Sequence, residues 1–181
     1  MRNGRTKSIK VALGGILAAL SLIFMFFTSI FPSMTYAAPA VCGALLMVTV
    51  IEISSWFSLL IYAVVGFLSI FLVADKEAAV IYLLFFGYYP IIKGMIEAKL
   101  SLPSSWICKY IIFNISIIIS YFICSKLLGI EYDEIGNFGK FSVLILLIMG
   151  NIIFAIYDLA LTRLVTAYLR HWQKYVKRIL R

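Results

Sequence analysis

The sequence has few charged residues. Only 13% of its 181 residues are Asp, Glu, Lys or Arg, about half of the roughly 25% that is usual in soluble domains. Hydrophobic residues make up 64% of the chain, and the mean hydropathy is +1.05. A soluble domain of this size could not bury so much apolar surface. The composition therefore predicts an all-α integral membrane protein, and the length favours a single membrane domain.

Cysteine and histidine are scarce, and catalytic motifs are missing. Cys42, Cys108 and Cys124 lie in or beside apolar runs without the CxxC spacing of a metal site, which favours a role as small packing residues. The chain has no GxxxxGK[ST] phosphate loop, no GxSxG and no HExxH. The single histidine, His171, has no Cys or carboxylate cluster around it in the sequence. We therefore expect no enzyme activity, no metal site and no cofactor.

Charged residues divide the chain into six apolar runs. A membrane-spanning helix needs about 20 mostly apolar residues, and fewer where flanking side chains reach the headgroups. Reading the second and third runs as one span would place Glu52 deep in lipid, which is costly. The sequence therefore predicts a bundle of six transmembrane helices at residues 11–31, 37–51, 56–74, 78–92, 110–125 and 141–157.

Basic residues are unevenly divided between alternate connections. With the N-terminus in the cytoplasm, thirteen Lys and Arg residues lie inside and three, Lys76, Lys126 and Lys140, lie outside. The outer loops carry acids instead, namely Asp75, Glu77, Glu131, Asp133 and Glu134. The positive-inside rule predicts a multi-pass protein of the cell membrane with both termini in the cytoplasm. The net charge of +8 is then explained by contact with anionic lipid and requires no nucleic acid.

The first apolar run also imitates a signal peptide, because it follows a basic start and precedes AAPA at 37–40. Its 21 residues exceed the usual length of about 7 to 15, and further spans follow at once. An uncleaved first helix is therefore favoured.

The stretch FFGYYPIIKG at 85–94 ends the fourth run. Gly87 and Pro90 weaken a helix, and Pro90 leaves a carbonyl one turn earlier without its usual donor. One interpretation is a kinked helix that ends in tyrosines at the membrane interface and in Lys93 as an anchor. The alternative is a hinge beside a polar cluster at the inner face, composed of Glu52, Lys93, Asn114 and Asp158.

Within this polar cluster two chemical roles compete. Ionisable residues inside membrane segments indicate function by default. Here the acids lie near the interface, which favours a structural ion pair of Lys93 with Asp158 or Glu52 over a proton relay. Such a pair would hold the bundle shut on the cytoplasmic side. Asn151, nearer the middle of its helix, is a second buried polar candidate that bonds to a neighbouring helix.

Small residues recur at a spacing of four in the first helix, as Gly14 with Ala18 and Gly15 with Ala19. This spacing lets another helix approach closely, either from the same chain or from a partner. Six helices in about 180 residues, a basic N-terminus and this face resemble the S component, the substrate-binding subunit of energy-coupling factor transporters. The resemblance implies that these four residues dock on a transmembrane coupling subunit, which acts with ATPase subunits. The chain departs from the family's alanine-rich AxxxA pattern by having glycine first in each pair.

The resemblance also implies a pocket for a vitamin-like small molecule. It would lie in the outer half, under the apolar loop 31–39 and among the fourth to sixth helices. Aromatic rings would stack a flat substrate and polar groups would set specificity. The implied ligand-binding residues are Tyr36, Tyr82, Ser120, Tyr121 and Asn151. Ordinary packing is the alternative role for each of them.

The pattern of the last 21 residues, 161–181, differs from that of the apolar runs. Apolar residues such as Leu161, Val165 and Trp172 recur at spacings of three and four, and basic residues occupy another face. This pattern predicts a basic amphipathic helix, so we divide the chain into a transmembrane domain at 1–160 and a cytoplasmic tail at 161–181. The tail is expected to lie on anionic lipid, with a partner's cytoplasmic domain as the alternative.

Three functions fit these features. The first is a binding subunit of an uptake transporter. The second is a non-enzymatic scaffold of a cell-envelope complex, which would have no ligand pocket and a protein-binding tail. The third is a lipid-handling enzyme or flippase, which would need polar residues facing a lateral opening, and the sequence has few of these.

Overall fold

The computed structural model describes residues 2–129 and 142–180, and these residues are helical with short connections and no strand. The prediction of an all-α protein is confirmed. Five of the helices are long and apolar enough to cross a membrane, whereas α2 is a shorter apolar helix of 16 residues. These properties are those of a multi-pass membrane protein. The helices are α1, Arg2–Ile30; α2, Ala37–Glu52; α3, Ser55–Leu72; α4, Lys76–Lys99; α5, Leu102–Leu127; and α6, 142–180.

Short connections make consecutive helices from α1 to α5 antiparallel. Helix α6 runs antiparallel to α5, because Lys109 meets Asp158 and Asn114 meets Asn151. Helices α1 and α5 begin at one side of the bundle, and α2 and α4 terminate at the same side. We call this side the basic end. Two apolar clusters fill the bundle. The first packs α1 to α4 around Met25, Cys42 and Tyr82, and the second packs α2, α4, α5 and α6 around Phe85 and Phe154. The second cluster is aromatic, and Phe154 stacks on Phe113 of α5 with ring centroids 4.7 Å apart.

Side-chain caps mark two of the helix starts. Ser54 precedes α3, and its Oγ accepts a hydrogen bond from the Phe57 amide at 3.2 Å. Asp75 precedes α4, and its Oδ1 accepts from the Ala78 amide at 3.0 Å. Each cap satisfies an amide that has no partner within its helix. Only Ile53 and Ser54 separate the end of α2 at Glu52 from the start of α3 at Ser55, so these two helices form a tight hairpin.

Helix α4 changes geometry inside the stretch FFGYYPIIKG. Residues Tyr82–Phe86 form a π-helical turn, and α-helix resumes at Tyr89–Lys99. The Gly87 amide bonds to the Tyr82 carbonyl at 2.8 Å, which leaves the Leu83 carbonyl without its usual helical donor. The Tyr62 hydroxyl of α3 donates to that carbonyl at 2.8 Å. A side chain of a neighbouring helix therefore satisfies the carbonyl that the π-helical turn leaves without a donor.

Two glycines allow this break to pack. A Cβ on Gly87 would collide with the Tyr62 ring, and a Cβ on Gly43 of α2 would collide with the Phe86 carbonyl, which Pro90 cannot bond. Tyr88 and Tyr89 follow the break and do not form an interfacial belt. Tyr89 is fully buried, and the Tyr88 hydroxyl shares a hydrogen bond with Ser116 of α5.

Helix α6 continues past residue 160 without interruption. It consists of Ser142–Ala167, a π-helical turn at Tyr168–Trp172 and Gln173–Leu180. The domain boundary predicted between residues 160 and 161 lies inside this helix. That residues 161–181 act as a separate functional unit stays a prediction. Several predicted features lie outside the described residues: the start of the sixth run at 141, Lys140, and the outer acids Glu131, Asp133 and Glu134.

The two glycine positions of α1 provide a matched test of the packing. A Cβ at Gly14 would lie 2.5 Å from the Phe57 ring of α3, whereas a Cβ at Gly15 would have no atom of another described helix within 4 Å. We expect Gly14→Leu to lower the free energy of unfolding in detergent by about 1–3 kcal/mol, because overpacking forces the helices apart. Gly15→Leu is expected to leave it unchanged, and equal losses in both variants would contradict the packing of α1 on α3.

Candidate functional site

Four charged side chains of α4, α5 and α6 form one network near the basic end. Lys93 Nζ lies 2.5 Å from Asp158 Oδ1 and 2.6 Å from Glu97 Oε1. Lys109 Nζ lies 2.5 Å from the same Glu97 oxygen and 3.1 Å from Asp158 Oδ2. Two ammonium groups and two carboxylates thus alternate in a closed arrangement with no net formal charge. We call these four residues the ion ring.

Asp158 is the centre of the ion ring. Its side chain is 2% exposed and accepts hydrogen bonds from both lysines. It also accepts from the Tyr89 hydroxyl at 2.5 Å. A buried carboxylate is tolerated only when charged partners and donors replace its hydration. Because three donors from α4 and α5 converge on a residue of α6, the ion ring ties these three helices together.

Helical spacing brings the members of the ion ring to one place. Tyr89, Lys93 and Glu97 are four residues apart and therefore lie on one face of α4, directly after its break. Lys93 lies six residues from the end of α4, and Lys109 lies seven from the start of α5. These positions place the ion ring about 9–10 Å inside the helix ends. The Lys109 ammonium also lies 5.1 Å from the centre of the Trp106 ring, at a cation–π distance.

The predicted polar cluster divides into separate contacts. Lys93 meets Asp158, whereas Glu52 accepts a hydrogen bond from the Tyr168 hydroxyl of α6 at 3.2 Å. Asn114 pairs with Asn151 through two amide hydrogen bonds of 2.9 and 3.0 Å, which join α5 to α6. Each amide also bonds to a backbone carbonyl of its own helix. The two asparagines therefore form a fully satisfied interhelical pair.

Sequence reasoning missed two members of the ion ring. The positive-inside rule counts Lys109 only as one of the thirteen basic residues on the cytoplasmic side, and Glu97 enters no prediction. The spacing of Lys93 and Glu97 by four residues was the available signal for a pair on one helical face. No comparable signal in the sequence links Lys109 to Asp158, because the two belong to different helices.

The ion ring fits a structural lock better than a proton relay. Its charges balance, and the Asp158 carboxylate accepts hydrogen bonds from three donors. Breaking a buried ion pair costs several kcal/mol, because the remaining charge has no partner. The described geometry therefore supports the role of holding α4, α5 and α6 together.

The opposite end is closed by hydrogen bonds between the first loop and the start of α4. Thr35 Oγ1 donates to Asp75 Oδ2 at 2.7 Å, and the Tyr36 hydroxyl donates to Glu77 Oε1 at 2.6 Å. Partial burial and the bond to Glu77 raise the pKa of Tyr36 above its usual value, so that its hydroxyl stays protonated and donates at neutral pH. We call these two contacts the loop latch.

Three buried hydroxyls below the loop latch have no hydrogen-bond partner in the described part of the chain. They belong to Ser21 of α1, Ser69 of α3 and Tyr82 of α4, and each residue is at most 1% exposed. Tyr82 is a member of the first apolar cluster, and Ser69 lies one turn from two other members, Val65 and Val73. An unpaired buried hydroxyl costs about 1–3 kcal/mol. These three hydroxyls are therefore available to a hydrogen-bonding ligand, unlike the buried hydroxyls of Thr28, Thr49 and Ser58, which have partners.

The other predicted ligand-binding residues have different surroundings. Ser120 Oγ donates to the Ser116 carbonyl of its own helix at 2.8 Å, and Asn151 is engaged with Asn114. Tyr121 is half-buried, and its ring packs against Phe122. Among the predicted five, the geometry singles out Tyr82 as a buried group with a free hydroxyl and Tyr36 as part of the loop latch.

The predicted docking face of α1 is divided in two. Gly14 is buried against α3, and Ala18 packs on the first apolar cluster, so both serve packing within the chain. Gly15 and Ala19 are exposed. Only this second pair offers a surface of small residues to a partner helix.

Comparison with known proteins gives no relative. No protein-family model, no curated protein and no solved structure matches the chain. Within the described residues, no group of three or more His, Cys, Asp or Glu side chains is placed to hold a metal ion. Functional inference therefore depends on the geometry of the ion ring, the loop latch and the three unpaired hydroxyls.

The role of Asp158 can be tested by its removal. Asp158→Asn leaves two buried ammonium groups with one carboxylate, so we expect the free energy of unfolding in detergent to fall by about 3–5 kcal/mol. Adding Lys109→Met removes the excess charge and should recover part of the loss. Glu52→Gln, outside the ion ring, is the control with an expected loss below about 1 kcal/mol. Equal stability of Asp158→Asn and the unmodified protein would contradict the structural role.

Two tyrosines of α4 allow the unpaired hydroxyl to be tested. Tyr89→Phe deletes a hydroxyl that donates to Asp158, so we expect a loss of about 1–3 kcal/mol in the free energy of unfolding. Tyr82→Phe deletes a hydroxyl without a described partner, so stability should be unchanged or higher. A loss in Tyr82→Phe as large as in Tyr89→Phe would mean that the Tyr82 hydroxyl is bonded in the folded protein.

Proposed function

We propose that this chain is a substrate-binding subunit of an uptake transporter of the energy-coupling factor type. It would lie in the cell membrane with six transmembrane helices and with the basic end and both termini in the cytoplasm. Separate coupling and ATPase subunits would supply the energy. The substrate class is a vitamin-like small molecule. The observation that carries the proposal is the set of three buried, unpaired hydroxyls in an apolar interior beneath a latched loop.

The two ends of the bundle support a binding role in different ways. Toward the cytoplasm, the ion ring would keep α4, α5 and α6 together while substrate is held. Toward the outside, the two hydrogen bonds of the loop latch hold the first loop to α4. A substrate that enters from outside would have to displace the first loop. The loop latch would therefore close the side of entry, and its hydrogen bonds are weaker than the ion pairs that close the cytoplasmic side. Tyr82 would then offer its hydroxyl and ring to the substrate.

The exposed pair Gly15 and Ala19 is the proposed docking surface for the coupling subunit. Small side chains let two helix backbones approach closely in lipid, where dispersion contacts drive association. Gly14 and Ala18, which the family resemblance also implies, are occupied by α3 and the first apolar cluster. The proposal therefore places docking on one of the two small-residue faces.

A non-enzymatic scaffold of a cell-envelope complex is the alternative. The observation that favours it is the exposed aromatic surface of the tail, where Trp172 and Tyr175 are 66% and 69% exposed beside the basic residues Arg170 and Lys174. In that case the tail would bind a protein partner, and the interior would bind no ligand.

Purification with bound partners separates the two functions. We expect the tagged protein, extracted from its native membrane in mild detergent, to carry a membrane coupling subunit and ATPase subunits that mass spectrometry identifies. Gly15→Leu with Ala19→Leu should abolish this association, because leucines prevent close approach. Ala63→Leu, at an exposed position of α3, is the matched control and should retain the partners. Recovery of envelope proteins instead, or partners unaffected by the double variant, would refute the transport proposal.

A further inference from the structure

Glu97 is the exposed member of the ion ring. Its side chain is 40% exposed, whereas those of Lys93, Lys109 and Asp158 are at most 5% exposed. A single Glu97 oxygen, Oε1, holds both ammonium groups, at 2.6 and 2.5 Å. Rotation of this side chain alone would release both contacts without moving a helix. Glu97 is therefore the carboxylate that another anion could replace.

Charge balance defines what could replace it. Without Glu97, the side chains of Lys93, Lys109 and Asp158 carry a net charge of +1 in a buried position. An uncompensated buried charge is strongly unfavourable, whereas one monovalent anion restores neutrality. A phosphodiester carries one negative charge and several acceptor oxygens, so it matches the two ammonium donors.

Ser105 supplies a third donor on the same face. It precedes Lys109 by one helical turn of α5, so the two side chains project in the same direction. Ser105 is 4% exposed, and its Oγ has no hydrogen-bond partner among the residues that the structure describes. A phosphate oxygen beside Lys109 would satisfy this buried hydroxyl.

An apolar groove adjoins these donors. It is a largely open surface along α5 from Trp106 to Ile118, has a volume of about 630 Å³ and is lined by Tyr110 and Ile111 among others. The twelve helical steps between Trp106 and Ile118 correspond to about 18 Å, which is close to one leaflet of the hydrocarbon core. Trp106 connects the two features, because the Lys109 ammonium lies over its ring and the same residue lines the end of the groove.

We propose that Lys93, Lys109 and Ser105 bind the phosphodiester of an anionic glycerophospholipid. Glu97 occupies the site in the absence of lipid and leaves it when the headgroup binds. One acyl chain lies in the groove on α5. The site shares Lys93, Lys109 and Glu97 with the ion ring, to which the proposed transport function gives only the role of holding α4, α5 and α6 together. It involves neither the loop latch nor the docking pair, so a test of lipid binding does not depend on the transport proposal. The apolar groove favours a lipid over a free phosphate compound.

Native mass spectrometry with added phosphatidylglycerol tests the site on the full chain. Glu97→Gln removes the competing carboxylate and keeps the side-chain shape, so we expect phosphatidylglycerol to bind about tenfold more tightly. Glu52→Gln, an acid at the same end outside the ion ring, is the matched control and should not change binding. Equal affinity in Glu97→Gln and the unmodified protein would overturn the proposal.

Further variants separate the headgroup from the chain. Ser105→Ala in the Glu97→Gln background should weaken binding about fivefold, because it removes one phosphate donor. Ile111→Trp, at an exposed position, should fill the groove and also weaken binding. Zwitterionic phosphatidylcholine should bind less tightly than phosphatidylglycerol. If phosphatidylcholine or soluble glycerophosphate bound as tightly as phosphatidylglycerol, or if neither variant had an effect, the assignment to an anionic lipid would be wrong.

Discussion

One buried carboxylate sets the arrangement of the second half of the molecule. Asp158 stands on an apolar helix and is 2% exposed, so its charge requires partners that replace water. Tyr89, Lys93 and Lys109 provide them from α4 and α5. Because the penalty for an unpaired charge is larger than most packing energies, α4 and α5 must meet α6 at this level. The aromatic cluster around Phe154 packs next to it as a consequence.

The irregular stretch of α4 serves this constraint. The π-helical turn before Pro90 determines the rotation of the following helix, and therefore which face carries Tyr89 and Lys93. The break frees backbone carbonyls in an apolar interior, where each would be costly. Tyr62 bonds one of them, and Gly43 of α2 packs against another. The glycine, proline and lysine of FFGYYPIIKG thus serve one structural purpose. The interruption of the helix places the side chains of Tyr89 and Lys93 against Asp158.

The helices could largely be predicted from the positions of charges, because a charge in lipid is costly and ends a span. The same rule misplaced two boundaries. Runs predicted at 78–92 and 110–125 belong to helices at Lys76–Lys99 and Leu102–Leu127. Lys93 and Lys109 lie inside these helices because Asp158 and Glu97 neutralise them, and no pattern within a single helix reports a partner on another. The pairing of Asn114 with Asn151 could not be predicted for the same reason. The small-residue spacing of α1 correctly predicted close packing, but it did not show which of the two pairs would face α3.

The ion ring is most directly tested by solid-state NMR of the protein in lipid bilayers, with ¹⁵N in lysine side chains and ¹³C in aspartate carboxyls. The chain has three aspartates, and the Asp158→Asn variant identifies the signal of Asp158. The account predicts strong dipolar coupling between this carboxyl carbon and lysine Nζ, since the oxygens lie 2.5 and 3.1 Å from two ammonium groups. Absence of that coupling in the folded protein would contradict the central role of the ion ring.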